Sequence, residues 1–339
     1  MASTTTHLSV AMTTTTDVDE VQATSGRNTT TSSWSRGADF YFQCAVVFIG
    51  VVGAAANALI LYAMIVSKQY KKQLLIYNQN VFDLCSCLLL VLTYTLKLCN
   101  IYLTGTLSYW LCMMLLSENL LWCAINGSTI NLMSVTVERY LKVVRPVWGK
   151  KLLRKSRKCA AVAFAWISSI LYNMVVVFST SDVIDGVCYG YVIWNSRVAV
   201  VIYSSLHFVT FSITPIVVFI VCYGRILVVI RHQAKVLASH SGPGSNASQS
   251  HSNHVQSTVI KTTVIICASY VVTWIPANVY YLLVTVTSNH TLLESGYYIV
   301  VFIAFSYICA NPFIYATKFE PVKRVLLDLI PCKQSQQSG

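Results

Sequence analysis

Seven apolar stretches constrain this chain more than any other feature; they lie near residues 41–66, 75–98, 111–139, 159–179, 198–223, 259–285 and 297–316. Each can cross the roughly 30 Å of bilayer hydrocarbon, which takes about 20 helical residues. Lipid offers no partner to a backbone amide, so such a segment must be a helix that closes its own hydrogen bonds. Composition points the same way: 55% of the 339 residues are hydrophobic and 11% are charged, where a soluble domain carries about 25% charged residues. The expected fold is an all-α membrane protein, a seven-transmembrane helix bundle.

The net charge of +12 would suit nucleic acid if the bases shared one amphipathic surface, but they fall in short blocks between the spans. No nucleic-acid partner is expected. Twenty of the 24 bases lie on one side, nine of them from Arg139 to Lys158, while Arg27, Arg36, Lys97 and Arg197 lie on the other. Cytoplasmic loops collect Lys and Arg, which places the amino terminus outside and the carboxyl terminus inside. Residues 1–40 then form an extracellular, Ser/Thr-rich disordered tail without a signal-peptide pattern. Residues 41–316 form the bundle and 317–339 a cytoplasmic end.

Sequons at Asn28 and Asn289 fall outside, where glycosylation occurs. Those at Asn246, inside, and Asn126, within a span, are expected to be silent. Residues 238–257, rich in Ser, Gly, Asn and His, suit a flexible loop, and His240, His251 and His254 are read as loop composition rather than a metal site. Most of the 12 cysteines lie in apolar runs as buried thiols, with no zinc-type pairing of CxxC motifs. Neither metal nor cofactor is expected.

Ionisable groups inside the spans are costly and few: Asp83, Glu118, Glu138, Arg139 and His207. Asp83, near mid-span, must be neutral, paired or bound to a cation, with Ser128 and Asn311 as companions on neighbouring helices. A protonated Asp83 hydrogen-bonded to Asn side chains is an equal alternative. Glu138-Arg139-Tyr140 closes the third span, where a guanidinium paired in one state and released in another would be a switch. A basic helix end that merely obeys the orientation rule reads the same way. Pro215, Pro276 and Pro312 each remove a backbone hydrogen bond inside a span and mark potential kinks.

In order along the chain, these motifs resemble those of the rhodopsin-like G-protein-coupled receptors, over about residues 41–332. The resemblance rests on Gly53 and Asn57, on Asn78 and Asp83, on Glu138-Arg139-Tyr140 with Pro146, and on Trp166. It continues through Pro215 and Tyr223, Trp274-Ile275-Pro276 and Asn311-Pro312-Phe313-Ile314-Tyr315. It implies a plasma-membrane receptor, not an enzyme, that passes an extracellular ligand's signal to a heterotrimeric G protein by outward movement of the sixth helix. Glu138, Arg139, Tyr140, Tyr223, Asn311, Pro312 and Tyr315 would form the G-protein switch, with Trp274 beneath the ligand pocket and Pro276 as pivot. Asp83, Ser128 and Asn311 would form a sodium or polar core, although Ala124 and Ile308 replace polar groups common there and argue against sodium. Residues 319–330 read as a short amphipathic helix on the inner surface, Lys323 and Arg324 toward head groups. Cys332 is a palmitoylation candidate.

The resemblance also implies a disulfide between Cys112 and Cys188. Cys112 precedes Arg139 by 27 residues, and relatives carry this cysteine two residues later, where Met114 stands. Two residues turn a helix by about 200°, so either Cys112 lies outside the helix or a bulge corrects the register. Many relatives also hold an acid on the sixth helix against the arginine, and the stretch Val255–Lys261 has none. A weakly latched resting state with measurable basal signalling is expected.

An amine ligand is disfavoured, because Leu121 stands where amine receptors carry an acid. A retinal pigment is disfavoured as well, since no lysine lies between Lys261 and Lys318 and the matching position is Phe305. Glu118, Asn119, Leu121, Trp122, His207, Asn278, Tyr281 and Tyr297 are candidates to line an outward cavity, although tyrosines there serve equally as interface anchors. The 40-residue tail and outer tyrosines suit a peptide. Lys150, Lys151, Arg154 and Lys155 would meet anionic membrane lipids. The competing readings are a seven-helix transporter or channel, which predicts charged paths and inverted repeats that the sequence lacks, and a ligand-independent scaffold.

Overall fold

The computed structural model describes residues 29–99, 101–190, 196–240, 247–287, 290–318 and 320–328. Among them, seven helices are long and apolar enough to cross a membrane. They are α1 (Thr29–Val66), α2 (Leu74–Leu98), an interrupted α3 (Gly105–Val143), α4 (Lys155–Thr180), α5, α6 (Ala247–Thr287) and α7 (His290–Lys318). Helix α5 joins Arg197–Phe208, a π-helical turn Val209–Ile213 and Thr214–His240. A short α8 (Glu320–Asp328) follows, with Val322 buried and Lys323 and Arg324 exposed.

Several helices outrun the apolar stretches. Helix α1 starts at Thr29, inside the stretch read as tail. Residues 247–257, expected as loop, belong to α6, which corrects that reading. Extending a helix that the membrane segment has already nucleated needs no new nucleus, so weak helix formers such as Ser and His can continue it. Asn28, Asn289 and Cys332 lie outside the described residues.

The bundle is apolar without and holds a layer of polar groups within its apolar core. Phe48, Leu88, Leu171, Ile220 and Val272 face outward, while Asn57, Asn78, Gln79, Asp83, Asn131 and Asn311 are buried. Association in lipid gains nothing from hiding apolar groups, so polar contacts and close approach hold the helices together. Helix α3 is the most buried span and packs against α2, α4 and α5, while α1 closes the ring against α2 and α7. Gly53 permits that closure: a Cβ there would meet Cys309 Sγ at 2.6 Å and Cys87 Sγ at 2.7 Å.

Two prolines free carbonyls that side chains then satisfy. Pro215 cannot donate to the carbonyl four residues back, that of Phe211, and the Tyr270 hydroxyl donates to that oxygen at 2.6 Å. Pro312 likewise frees Ile308, whose carbonyl accepts from Asn57 Nδ2 at 3.4 Å. The prolines therefore leave α5 tied to α6 and α7 tied to α1.

Candidate functional site

The polar core is built on one face of α2. Gln79 and Asp83 are four residues apart, so both point at α3. Asp83 Oδ1 accepts from Ser128 Oγ (3.2 Å) and Gln79 Nε2 (3.4 Å), and Oδ2 accepts from Asn311 Nδ2 at 2.9 Å. Gln79 also donates to Ser128 and accepts from Asn131 at 2.8 Å. Asn131 in turn accepts from Asn78 at 2.9 Å, and Asn78 accepts from Trp166 at 3.2 Å. One chain of amides thus links α4, α2, α3 and α7. The expected companions Ser128 and Asn311 are both on Asp83; Gln79 escaped the sequence reading, although a lone Gln in an apolar span four residues before the acid was visible.

This arrangement does not fit a sodium ion. Three donors already point at the carboxylate, and Gln79 brings N–H groups to the acid where a cation would need oxygens, which leaves Asn311 Oδ1 as the one buried oxygen of this group without a partner. The unfolding midpoint of the purified chain should be the same in sodium chloride and choline chloride. In Gln79→Leu, which removes the competing donor, sodium should raise it; a sodium-specific rise in the intact chain would overturn this assignment.

At the opposite end of α3 from Cys112, Glu138 is 1% exposed and meets three cations: Lys158 at 2.8 Å, Lys142 at 2.9 Å and Arg139 at 3.6 Å. Lys142 lies one turn along the same helix, the favourable Glu-to-Lys order, while Lys158 comes from α4. Arg139 is therefore the most distant of the three partners. Its guanidinium instead donates to Gln73 Oε1 at 2.6 Å, at the start of α2. Helix α6 offers no acid at all between residues 247 and 287. Tyr223 lies near Thr136 (3.4 Å) and Cys267 (3.8 Å), and Tyr223 and Tyr315 are both buried. Tyr140 packs partly buried against the core. Gln73 is the second residue missed; an uncharged side chain at a loop carries no sequence signal.

At the other end, Cys112 and Cys188 are bonded, with Cα atoms 5.3 Å apart. Cys188 lies on β2 (Val187–Tyr189), antiparallel to β1 (Asp182–Ile184). Asp185 and Gly186 have φ of 50° and 76°, the tight hairpin turn favoured by Asp-Gly. The register offset is resolved by a bulge. Cys112 opens a π-helical turn, Cys112–Leu116, where Ser117 N–H bonds the Cys112 carbonyl at 2.9 Å. The helix then breaks at Glu118, with φ 60°, and restarts as Asn119–Val143. Residues wound more than four to a turn, plus the break, absorb the two extra positions.

The expected cavity residues fall into two groups. Glu118 accepts from Tyr94 OH at 2.9 Å and pairs with Lys97, while Phe42 packs on Tyr94 and Tyr297. Across the bundle, His207 Nδ1 is 3.3 Å from Tyr172 OH, its ring faces Tyr281, and Asn278 donates to Ser212 at 2.9 Å. Trp122 and Trp274 meet edge to face, ring centroids 6.1 Å apart. Leu121 and Asn119 are buried among helices, Asn119 against Met174.

Residues 56–315 match the family described as 7 transmembrane receptor (rhodopsin family). Melanopsin of Podarcis siculus is 24% identical over 85% of this chain and 61% of its own length. Human C-C chemokine receptor type 8 is 24% identical over 87% of the chain and 79% of its own. Lysophosphatidic acid receptor 1 of Ovis aries is 22% identical over 69% of the chain and 56% of its own. The chain spans less than two thirds of the melanopsin and of the lysophosphatidic acid receptor. Because the family match runs from the last third of α1 almost to the end of α7, the chain belongs to the rhodopsin family of seven-transmembrane receptors.

Proposed function

We propose that the chain is a plasma-membrane receptor, disulfide end outward and Glu138 end in the cytoplasm, that relays an extracellular ligand to a heterotrimeric G protein. The observation that carries this reading is the state of Arg139. It is held from α2 by Gln73 and paired at 3.6 Å with Glu138 of its own helix, and α6 carries no acid to tie it. Helix α6 can therefore swing about Pro276 without breaking an ion pair, uncovering Arg139, Tyr223 and Tyr315 to a partner. A ligand need only prefer the swung state to shift the population. Exposed Lys150, Lys151, Arg154 and Lys155 would rest on anionic lipid beside that opening.

Such weak restraint means basal activity. At equal surface levels, the intact chain should activate G protein without ligand and Arg139→Ala should not; equal output from both would sink the reading. We further infer a peptide ligand, supported by the polar tail and by the exposed Tyr41 and Tyr102 at the disulfide end. The relatives' names point to different ligand classes, a chemokine and a lysophospholipid, so they do not decide it.

A further inference from the structure

The break in α3 places one carboxylate in an unusual position. Glu118 has a left-handed backbone, a conformation that costs a non-glycine residue energy and that collects at functional positions. The consequence is fixity: its side chain leaves a helix break, not a smooth helix, and is turned to α2. There it accepts from Tyr94 and pairs with Lys97, with side-chain exposures of 12% for Glu118 and 16% for Lys97. The Lys97 ammonium also lies 4.8 Å from the centroid of the Tyr94 ring. A carboxylate with aromatic faces beside it is the chemistry that holds ammonium and guanidinium groups.

The charge balance favours a cation over an anion as the site's visitor. Asp39, bonded to Gln43 at 2.7 Å, lies one turn before Phe42, which packs on Tyr94 and Tyr297, so a second acid stands at this end of the bundle. The sequence on this side of the bundle carries eight of the chain's acids and four of its bases. The two halves of the pair also differ in freedom. Lys97 is the last base of α2, on a flexible four-carbon stem that reaches water with little rearrangement, whereas Glu118 is anchored by its backbone.

We propose that Glu118 is the anchoring residue for a cationic group of the ligand, an ammonium or guanidinium of a basic peptide, and that Lys97 is a built-in stand-in which the ligand displaces. Displacement would free Lys97 from α3 and so report occupancy at the outer ends of α2 and α3. The peptide as occupant rests on the receptor reading above; the cation site itself does not, and binding without signalling tests it separately.

The probe is n-butylammonium, the lysine side chain cut from its backbone, applied to purified full-length Lys97→Ala in lipid nanodiscs. Its saturable rise in unfolding midpoint should appear at millimolar concentration, follow mass action, and be weakened about tenfold or more in Lys97→Ala/Glu118→Gln. Butyrate should shift neither. Lys97→Met, which keeps the stem's volume, serves if the alanine variant folds poorly. No saturable rise, an equal rise in the double variant, or stabilisation of the intact chain by butyrate or inorganic phosphate overturns the proposal, the last by making Lys97 an anion site. Should butylammonium bind while Arg139→Ala leaves basal output unchanged, the cation site stands and the receptor reading fails.

Discussion

Replacing Glu138 with Ala should lower the unfolding midpoint of the purified chain further than removing any one of its cation partners. One acid, 1% exposed, serves Lys142, Lys158 and Arg139. Taking it away leaves three positive groups facing one another with little water, and stranding buried charge costs about 3–5 kcal/mol. Removing Lys158 instead leaves the acid two partners and relieves repulsion among the cations, so the loss should be much smaller. The double variant Glu138→Ala/Lys158→Ala should recover part of the stability lost by Glu138→Ala alone, because the pair is coupled. Strict additivity, or a Lys158→Ala loss as large as that of Glu138→Ala, would show that the cluster is not the shared charge network its distances describe.

The legibility of these features follows their physics. The seven spans could be read because bilayer thickness fixes a length and lipid fixes a composition, and both are visible in one dimension. The motif residues of the core could be read from family resemblance, and the structure brings Asp83, Ser128 and Asn311 into contact. The offset at Cys112 was legible only as a misfit; choosing a bulge over a helix end needs the three-dimensional path of α3 and the hairpin that meets it. That hairpin had a signal in Asp185-Gly186 flanked by Ile184 and Val187, but strands of three residues are too short to show an alternating pattern. Lys158 was counted as one base in a cytoplasmic block, since its meeting with Glu138 depends on how α3 and α4 cross. Gln73 carries no charge and sits at a loop, so nothing in composition marks it, whereas Gln79 was visible as a lone amide in an apolar span but its meeting with Ser128 and Asn131 depends on how α2 and α3 pack.

Gln73 is where that difference should be largest in function. Its amide oxygen holds the Arg139 guanidinium at 2.6 Å, and α6 has no acid to share the task. A hydrogen bond to a charged group contributes about 1.5–3 kcal/mol. If it exists only in the resting state, losing it shifts the resting-to-active balance by that amount, about tenfold for each 1.4 kcal/mol. Gln73→Ala should therefore raise ligand-free nucleotide exchange on the coupled G protein by about tenfold or more, limited only by saturation of the active state. Gln73→Glu, which turns the amide acceptor into a carboxylate of the same length, should lower exchange below that of the intact chain, because a charge-assisted pair then holds Arg139 more tightly. Gln73→Ala/Arg139→Ala should be silent, since the group that is released is the group that G protein needs. Opposite effects of Ala and Glu at one position separate a restraint on Arg139 from general damage to α2, which would move both variants the same way. Unchanged exchange in both would mean that Arg139 is restrained by Glu138 after all, despite the 3.6 Å between them.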